Sequence, residues 1–455
     1  MAVEIKRISE PELKQQNEYS QKVNNLLQSR YSGKPLACVV TYGCQQNIAD
    51  SERIKGMLSE MGYAFCEERT QANLIIFNTC AVREHAEDRV FGNVGALKKY
   101  KLSHPDTIIA LCGCMMQQEH IAKKIKQSFP FVDLVFGTHV VHRLPELLYK
   151  ALTGKRRVFE RPDIDGVIAE GIPVKRDEEN RAWLPIMYGC NNFCSYCVVP
   201  YVRGRERSRR VDDIVREFKG LVSDGCKEIT LLGQNVNSYG KDLEPKVTFA
   251  ELLKMLNDLD GDFRIRFMTS HPKDCTKELL ETMASCDKVA THLHLPFQSG
   301  NDRVLGAMNR QYTREKYLSL INYARELMGD NLSVTSDIIV GFPGETYEEF
   351  QDTLSLRIQY ALQTSDQALI NHLVQESKVV LAMLECPTDT VLDEIFLQLH
   401  QTVHIQESNL RLYHPELSQV ARSITVLCTE GWTECVDSTE CRSTQLTLQL
   451  TGNGQ

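Results

Sequence analysis

Along the first third of the chain, short apolar runs recur, each ending in a small polar word and followed by a stretch with helical spacing. Leu36-Ala37-Cys38-Val39-Val40-Thr41 stops at Tyr42-Gly43-Cys44, ahead of a helical segment over residues 49–61. Leu74-Ile75-Ile76-Phe77 stops at Asn78-Thr79-Cys80, ahead of a helix over about 83–99. Ile108-Ile109-Ala110-Leu111 stops at Cys112-Gly113-Cys114, ahead of a helix ending near 124. Unbroken apolar runs of this length, bounded by turn residues, read as strands buried on both faces. Three such strand–helix units in series predict an α/β domain with a doubly wound parallel sheet over residues 35–150. The polar residues 1–34 read as a helical extension ahead of it.

Residues 151–180 turn to Arg, Asp, Glu, Gly and Pro and read as a linker. A second series follows over 181–354, with strands at 183–187, 228–232, 264–268, 290–295 and 333–340 and helices at 211–223, 249–259 and 314–328. Each strand runs into a polar loop, among them Gly233-Gln234-Asn235, Ser270-His271-Pro272 and Gly341-Phe342-Pro343-Gly344. Such alternation predicts a partial (β/α) barrel whose functional groups lie on the loops after the strands. Alone, His271 and His294 read as strand-end histidines, and Gly341 and Gly344 as turn glycines.

Composition changes this outline little, and charge changes it more. The 455 residues are 42% hydrophobic and 25% charged, as in globular chains generally, and no apolar stretch has the length that spans a bilayer. With a polar start in place of a secretory signal segment, a cytoplasmic protein is expected. In that compartment its sixteen cysteines serve as metal ligands or small buried hydrophobes. The formal net charge of −8 is uneven, with five basic against twelve acidic residues in 355–455 and 47 against 48 before it. Lysine-rich clusters at 98–101, 123–126 and 155–157 read as solvated faces. The run Arg203-Gly204-Arg205-Glu206-Arg207-Ser208-Arg209-Arg210 reads as a phosphate-contacting patch that would hold a polyanion at the chemistry.

That run follows Cys190, Cys194 and Cys197, spaced C-x3-C-x2-C with no further cysteine before Cys226. A [4Fe–4S] cube has four iron corners, so three thiolates on one loop leave one iron open to a small molecule. Structural zinc favours four ligands in two close pairs, and a disulfide framework favours a secreted chain. In the first domain, Cys44, Cys80 and Cys114 each stand just past a predicted strand, about 35 residues apart. That edge is where open α/β sheets bind ligands, so the three thiols are expected to converge on a second site. Cys112 rivals Cys114, which lies deeper in the loop and closer to the helix start.

The Cys190-x3-Cys194-x2-Cys197 loop resembles the signature of the radical S-adenosylmethionine enzymes. Thr41-Tyr42-Gly43-Cys44-Gln45-Gln46-Asn47, Asn78-Thr79-Cys80-Ala81-Val82-Arg83-Glu84, Gly113-Cys114-Met115, and Tyr188-Gly189-Cys190 through Arg209 further resemble the methylthiotransferases of that family. The likeness covers about residues 36–354. It implies a radical-SAM partial barrel behind the α/β domain and two [4Fe–4S] clusters. One lies on Cys190, Cys194 and Cys197, with its open iron chelating S-adenosylmethionine, Tyr196 near the adenine, and Gly341 and Gly344 among the cofactor contacts. The other, an auxiliary cluster, lies on Cys44, Cys80 and Cys114.

The implied reaction places a methylthio group on C2 of N6-dimethylallyladenosine beside a tRNA anticodon, with S-adenosylmethionine as methyl donor and radical source. An aromatic C–H has neither an acidic proton nor a leaving group, so its replacement calls for radical chemistry. The implied partners are the tRNA anticodon stem-loop and an electron donor such as flavodoxin or ferredoxin. No membrane contact and a monomeric state are also expected. Two alternatives are a sister enzyme acting on threonylcarbamoyl-adenosine or a ribosomal protein, and an iron–sulfur protein that binds RNA without modifying it.

Beyond the Gly341-to-Thr346 word the family continues into a last barrel strand and a small β-rich, basic RNA-binding domain called TRAM. Residues 355–455 match neither, with one lysine, Lys378, and the extra cysteines Cys386, Cys428, Cys435 and Cys441. This atypical tail reads as a diverged domain or, the reading preferred, as a shifted frame.

Overall fold

The computed structural model describes residues 7–81, 84–154, 156–162, 166–362 and 445–446. Both readings of the tail fall almost wholly outside these residues. Six strands, β1 (Leu36–Thr41), β2 (Ala64–Phe65), β3 (Leu74–Thr79), β4 (Ile108–Gly113), β5 (Leu134–Phe136) and β6 (Val158–Glu160), form one sheet in the order β2-β1-β3-β4-β5-β6. Every pairing is parallel. All residues of β3 and β4 are buried, which is why they read as continuous apolar runs.

Alternate residues of these strands feed two separate apolar layers. Leu74, Ile76 and Ala110 pack with Leu27 of α1 (Glu10–Arg30), Ile54 and Leu58 of α2 (Gln45–Glu60) and Leu147 of the helix Leu144–Thr153. Ile75, Phe77 and Leu111 pack with Val94 of α3 (Glu84–Ser103) and with Ile121 and Ile125 of α4 (Glu119–Ser128). Helices on both faces and a strand order that reverses beside β1 make this a doubly wound sheet, with its switch point between β1 and β3. Thr41 pairs with Asn78, and Thr79 with Gly113, so the carboxyl ends of β1, β3 and β4 are level.

Two segments add detail to the sequence outline. The start of the chain is a packed helix: Ser9 and Glu12 form a capping box, and α1 buries Gln16, Ser20, Val23 and Leu27. Within 151–180, Val158–Glu160 forms the edge strand β6, and the Lys175 N–H donates to the Glu52 carbonyl of α2 at 2.9 Å. A three-residue strand among charged neighbours leaves too short an apolar signal to read.

The helix Leu144–Thr153, α5, closes the first series, and the second runs through β7 (Arg181–Pro185), β8 (Met187–Tyr188), α6 (Val199–Arg203), β9 (Arg207–Ser208) and α7 (Val211–Ser223). Next are β10 (Glu228–Leu232), α8 (Phe249–Asn257), β11 (Arg264–Phe267), α9 (Lys277–Ser285) and β12 (His292–His294). β7, β10 and β11 form a parallel sheet, and a bridge from Ile265 to Val289 leads on toward β12. These are successive units of a partial (β/α) barrel. In place of one strand over 333–340 there are two short ones, Ser333–Thr335 and Ile338–Ile339.

By contacts the chain forms two compact units. Of the described residues, the first holds those up to 295 with 308–310 and 319–334, and the second holds 296–307, 311–318, 335–362 and 445–446. Within the second, Ser299 and Gly300 bond to Thr353 of the helix Tyr347–Leu362, and Gln298 bridges Ile338. Among the described residues no helix is long and apolar enough to cross a membrane.

Arg209, just after β9, is 2% exposed and forms ion pairs with Glu170 at 2.6 Å and Glu217 at 2.7 Å, while donating to the Pro185 carbonyl at 2.8 Å. Burial opposes its charge, but Glu217 and Glu170 outweigh it and hold the guanidinium protonated. Removing one member of a buried ionic group leaves the others uncompensated. Arg209→Met is therefore expected to destabilise the chain by about 3–5 kcal/mol in chemical denaturation. A loss below about 1 kcal/mol, the range of exposed pairs, would contradict this.

Candidate metal centres

The loops after β1, β3 and β4 are pressed together, and two glycines permit it. Gly43 has φ +122°, and a Cβ there would stand 2.5 Å from Cβ of Cys80. Gly113 has φ +98°, and a Cβ there would stand 2.3 Å from the Thr79 carbonyl oxygen. Both combine a left-handed backbone with a contact that a side chain would block.

Asn47, near the start of α2, links the loops. Its Nδ2 donates to the Thr79 carbonyl at 3.0 Å, while Asn78 Nδ2 donates to the Asn47 carbonyl at 2.8 Å. Its Oδ1 stands 3.6 Å from Cys44 Sγ and 3.9 Å from Cys114 Sγ. Cys44 is exposed, and Cys80 and Cys114 are buried, so the group has one solvent-facing member. Cys112 is fully buried within β4, among the core residues beneath α2 and α5. Burial pushes the Cys114 thiol up to about 12 despite the nearby Arg203 guanidinium. In such surroundings a bound cation is what stabilises a thiolate.

β8 leads through Gly189 into the second cysteine loop. The Gly189 N–H donates to Gln234 Oε1 at 2.5 Å, the Cys190 N–H to the Gly204 carbonyl at 3.1 Å, and the Cys197 N–H to the Cys194 carbonyl at 2.9 Å. Asn309 Nδ2 donates to the carbonyls of Asn192 and Phe193, both at 3.0 Å. Arg310 Nη1 reaches Cys194 Sγ at 3.5 Å and the Tyr196 hydroxyl at 3.3 Å. Burial, reinforced by Glu206, Cys197 and Cys194, pushes the Cys190 thiol up to about 12, although the Asn192 N–H opposes this.

Residues that the sequence reading did not assign to the site surround this loop, His271 among them. His271 Nε2 lies 3.9 Å from Cys194 Sγ, and burial, followed by Arg310, pushes its pKa down to about 3, so the imidazole is neutral. Phe193, Thr269 and Asn309 have φ of 49°, 71° and 56°. A β-branched residue such as Thr269 is strained there, and such strain gathers at functional sites. His294 is half-buried on β12.

Nδ2 of Asn192, Oδ1 of Asn235, both amide atoms of Asn237 and Oγ of Ser270 are buried without hydrogen-bond partners. They stand on the loops after β8, β10 and β11. Each orphan costs about 1–3 kcal/mol, so a polar ligand with donors and acceptors, as S-adenosylmethionine is, suits them. Tyr196 is 37% exposed. Gly341 and Gly344, with φ of 72° and 79°, belong to the second unit, where Glu345 Oε2 accepts from the N–H groups of Gly341 and Phe342 at 2.7 and 3.1 Å.

Among the described residues no three His, Cys, Asp or Glu side chains close around a single metal ion. A cube spreads its cysteines over separate irons, so two all-thiol triads suit iron–sulfur clusters in kind.

The arginine run requires a correction. Arg203, Arg207 and Arg209 are buried and engaged within the protein, leaving only Arg205 and Arg210 of the run exposed. Arg203 donates to Asp50, Asn47 and Cys114, and Arg207 to the carbonyls of Arg203 and Arg205. Their acceptors lie far away in sequence or on the backbone, so charge counting mistook interior ties for a phosphate patch.

Residues 184–357 match the family model of the radical SAM superfamily, and residues 37–137 that of the uncharacterized protein family UPF0004. The tRNA-2-methylthio-N(6)-dimethylallyladenosine synthase of Clostridium tetani is 55% identical over 332 residues, which are 73% of each chain. The synthase of the same name from Alkaliphilus oremlandii is 56% identical over 318 residues, 70% of this chain and 67% of that protein. In fold, the radical S-adenosylmethionine methyltransferase TsrM of Kitasatospora setae superposes with a TM-score of 0.52 at 14% identity, covering 72% of this chain and 71% of that one. With cysteine loops on both α/β domains and more than half of the aligned residues shared with these relatives, the chain belongs to the tRNA-2-methylthio-N(6)-dimethylallyladenosine synthases, a family of radical S-adenosylmethionine enzymes.

Proposed function

We propose that this chain methylthiolates C2 of N6-dimethylallyladenosine beside the tRNA anticodon, with Cys190, Cys194 and Cys197 holding the cluster that binds S-adenosylmethionine and Cys44, Cys80 and Cys114 holding the auxiliary one. One observation carries this assignment. Both thiol triads lie within one compact unit, and Arg203, six residues past Cys197, donates to Cys114 Sγ at 3.0 Å. When bound, the clusters supply the electron that makes a radical from S-adenosylmethionine and the sulfur that joins the base.

The protein's own groups hold and enclose the reactants. Asn192, Asn235, Asn237 and Ser270 offer buried donors and acceptors to the cofactor. Neutral His271 and the Arg310 guanidinium face Cys194, giving that loop a polar wall. Residues 35–150 form the auxiliary-cluster domain and 181–354 the radical domain. A flavodoxin or ferredoxin as electron donor, a monomeric state and a cytoplasmic location complete the proposal.

The exposed face beside the cysteine loop suits an unstacked base of the anticodon stem-loop. Tyr201 is 72% exposed with its ring edge-on to Phe193 at 6.0 Å, and the Arg205 guanidinium lies 4.3 Å from the Phe193 ring centre. Aromatic and guanidinium surfaces together stack single-stranded bases. Tyr201→Ala is expected to weaken anticodon stem-loop binding by about 1–3 kcal/mol at fixed salt, with both clusters retained. An unchanged Kd would remove this face from the interface.

The reaction itself is tested by anaerobic reconstitution with a reductant and S-adenosylmethionine, supplied with prenylated tRNA or with ribosomes, followed by mass spectrometry of nucleosides and ribosomal proteins. A methylthio group on the prenylated adenosine is expected. Its absence with both clusters loaded would sink the reading, and methylthiolated ribosomal protein would favour the sister activity.

A further inference from the structure

We propose that Arg203 is a positioning residue of the auxiliary cluster, supplied by the radical domain, which orients Cys114 and raises the reduction potential of the cluster that Cys114 helps to hold. The inference rests on the assignment of Cys44, Cys80 and Cys114 to that cluster.

Arg203 closes α6, the short helix that follows the Cys190 loop, and is 6% exposed. All three of its guanidinium nitrogens donate to groups of the first domain. Nε donates to Cys114 Sγ at 3.0 Å, Nη1 to Asp50 Oδ2 at 2.7 Å, and Nη2 to Asn47 Oδ1 at 3.2 Å. That Asn47 oxygen also lies near Cys44 Sγ. One planar cation thus addresses the first turns of α2 and the segment after β4 together, a geometry that the single ammonium of lysine does not reproduce.

The backbone around Arg203 is held as firmly as its side chain. The Val202 carbonyl accepts from Thr138 Oγ1 at 2.7 Å, and the Arg203 carbonyl accepts from both terminal nitrogens of Arg207 at 3.1 Å. The next carbonyl, that of Gly204, accepts the N–H of Cys190. The residue that touches Cys114 therefore sits one peptide from the anchor of the other cysteine loop.

One-electron reduction adds a negative charge to an iron–sulfur cluster. A cation that donates to a ligating sulfur stabilises that reduced form, and hydrogen bonds to the sulfurs and local charge are established determinants of cluster potential. Asp50, paired with Arg203, opposes the added charge. Removing Arg203 and removing the Asp50 charge should therefore act with opposite signs. General damage to the fold has no reason to do so.

The test is a potentiometric titration, read by electron paramagnetic resonance, of the full-length chain loaded anaerobically. Cys190, Cys194 and Cys197 are all replaced by Ala so that one cluster is observed. Arg203→Met is expected to shift the midpoint negative, Arg203→Lys to shift it less, and Asp50→Asn to shift it positive. An unmoved midpoint in Arg203→Met, or shifts of one sign in Arg203→Met and Asp50→Asn, would overturn the proposal. Should Arg203→Met fail to fold, Arg203→Lys and Asp50→Asn decide by the same signs. Failure of the Cys190/Cys194/Cys197 triple variant to take up any cluster would instead overturn the assignment of Cys44, Cys80 and Cys114, and this proposal with it.

Discussion

Cys190→Ala is expected to reduce formation of 5′-deoxyadenosine from S-adenosylmethionine to background. The three thiols of this loop come from a stretch of eight residues whose backbone is tied to Gly204, Met308 and Asn309, so no other cysteine of the loop is free to take the missing place. A cluster left with two of its three protein ligands loses both its hold on the chain and its open corner. Quantifying 5′-deoxyadenosine by mass spectrometry, with the fold monitored by circular dichroism, measures the effect. Cleavage at the wild-type rate would contradict the assignment of this loop.

Cys80→Ala is expected to separate the two halves of the reaction, retaining cleavage of S-adenosylmethionine while abolishing the methylthio product. Cys80 follows directly on β3 in the first domain, and its side chain lies against Gly43 in the loop after β1. Losing it should disable the auxiliary site and leave the radical site intact. The check is to measure 5′-deoxyadenosine and the methylthiolated nucleoside in the same reactions. Equal loss of cleavage in Cys80→Ala and Cys190→Ala would argue against two separate clusters.

Much of this arrangement was legible because its signals are local. β1, β3 and β4 announce themselves as apolar runs since the sheet is covered on both faces, and Cys44, Cys80 and Cys114 follow from the positions at which those runs stop. The C-x3-C-x2-C loop is equally local. What stayed hidden depends on partners distant in sequence. His271 meets Cys194 across 77 positions, and Arg203 meets Asp50 across 153. Neither periodicity nor composition encodes such a meeting. Arginine is read as a surface residue unless its carboxylate is known, so the buried ties at Arg203 and Arg209 passed for a polyanion patch. The strands β2 and β6 are too short to show a period. The left-handed backbone at Phe193 and Thr269 is a property of the folded loops alone.

The most direct test of a two-cluster enzyme is the iron and acid-labile sulfide bound per chain, with Mössbauer spectra. It is made on the anaerobically reconstituted wild type and on two triple variants, one lacking Cys190, Cys194 and Cys197 and the other lacking Cys44, Cys80 and Cys114. The account predicts that each triple variant keeps about half of the wild-type iron as a single [4Fe–4S] cluster, and that the two residual spectra add up to the wild-type spectrum. Loss of all iron from one variant with none from the other, or an unchanged load in either, would contradict it.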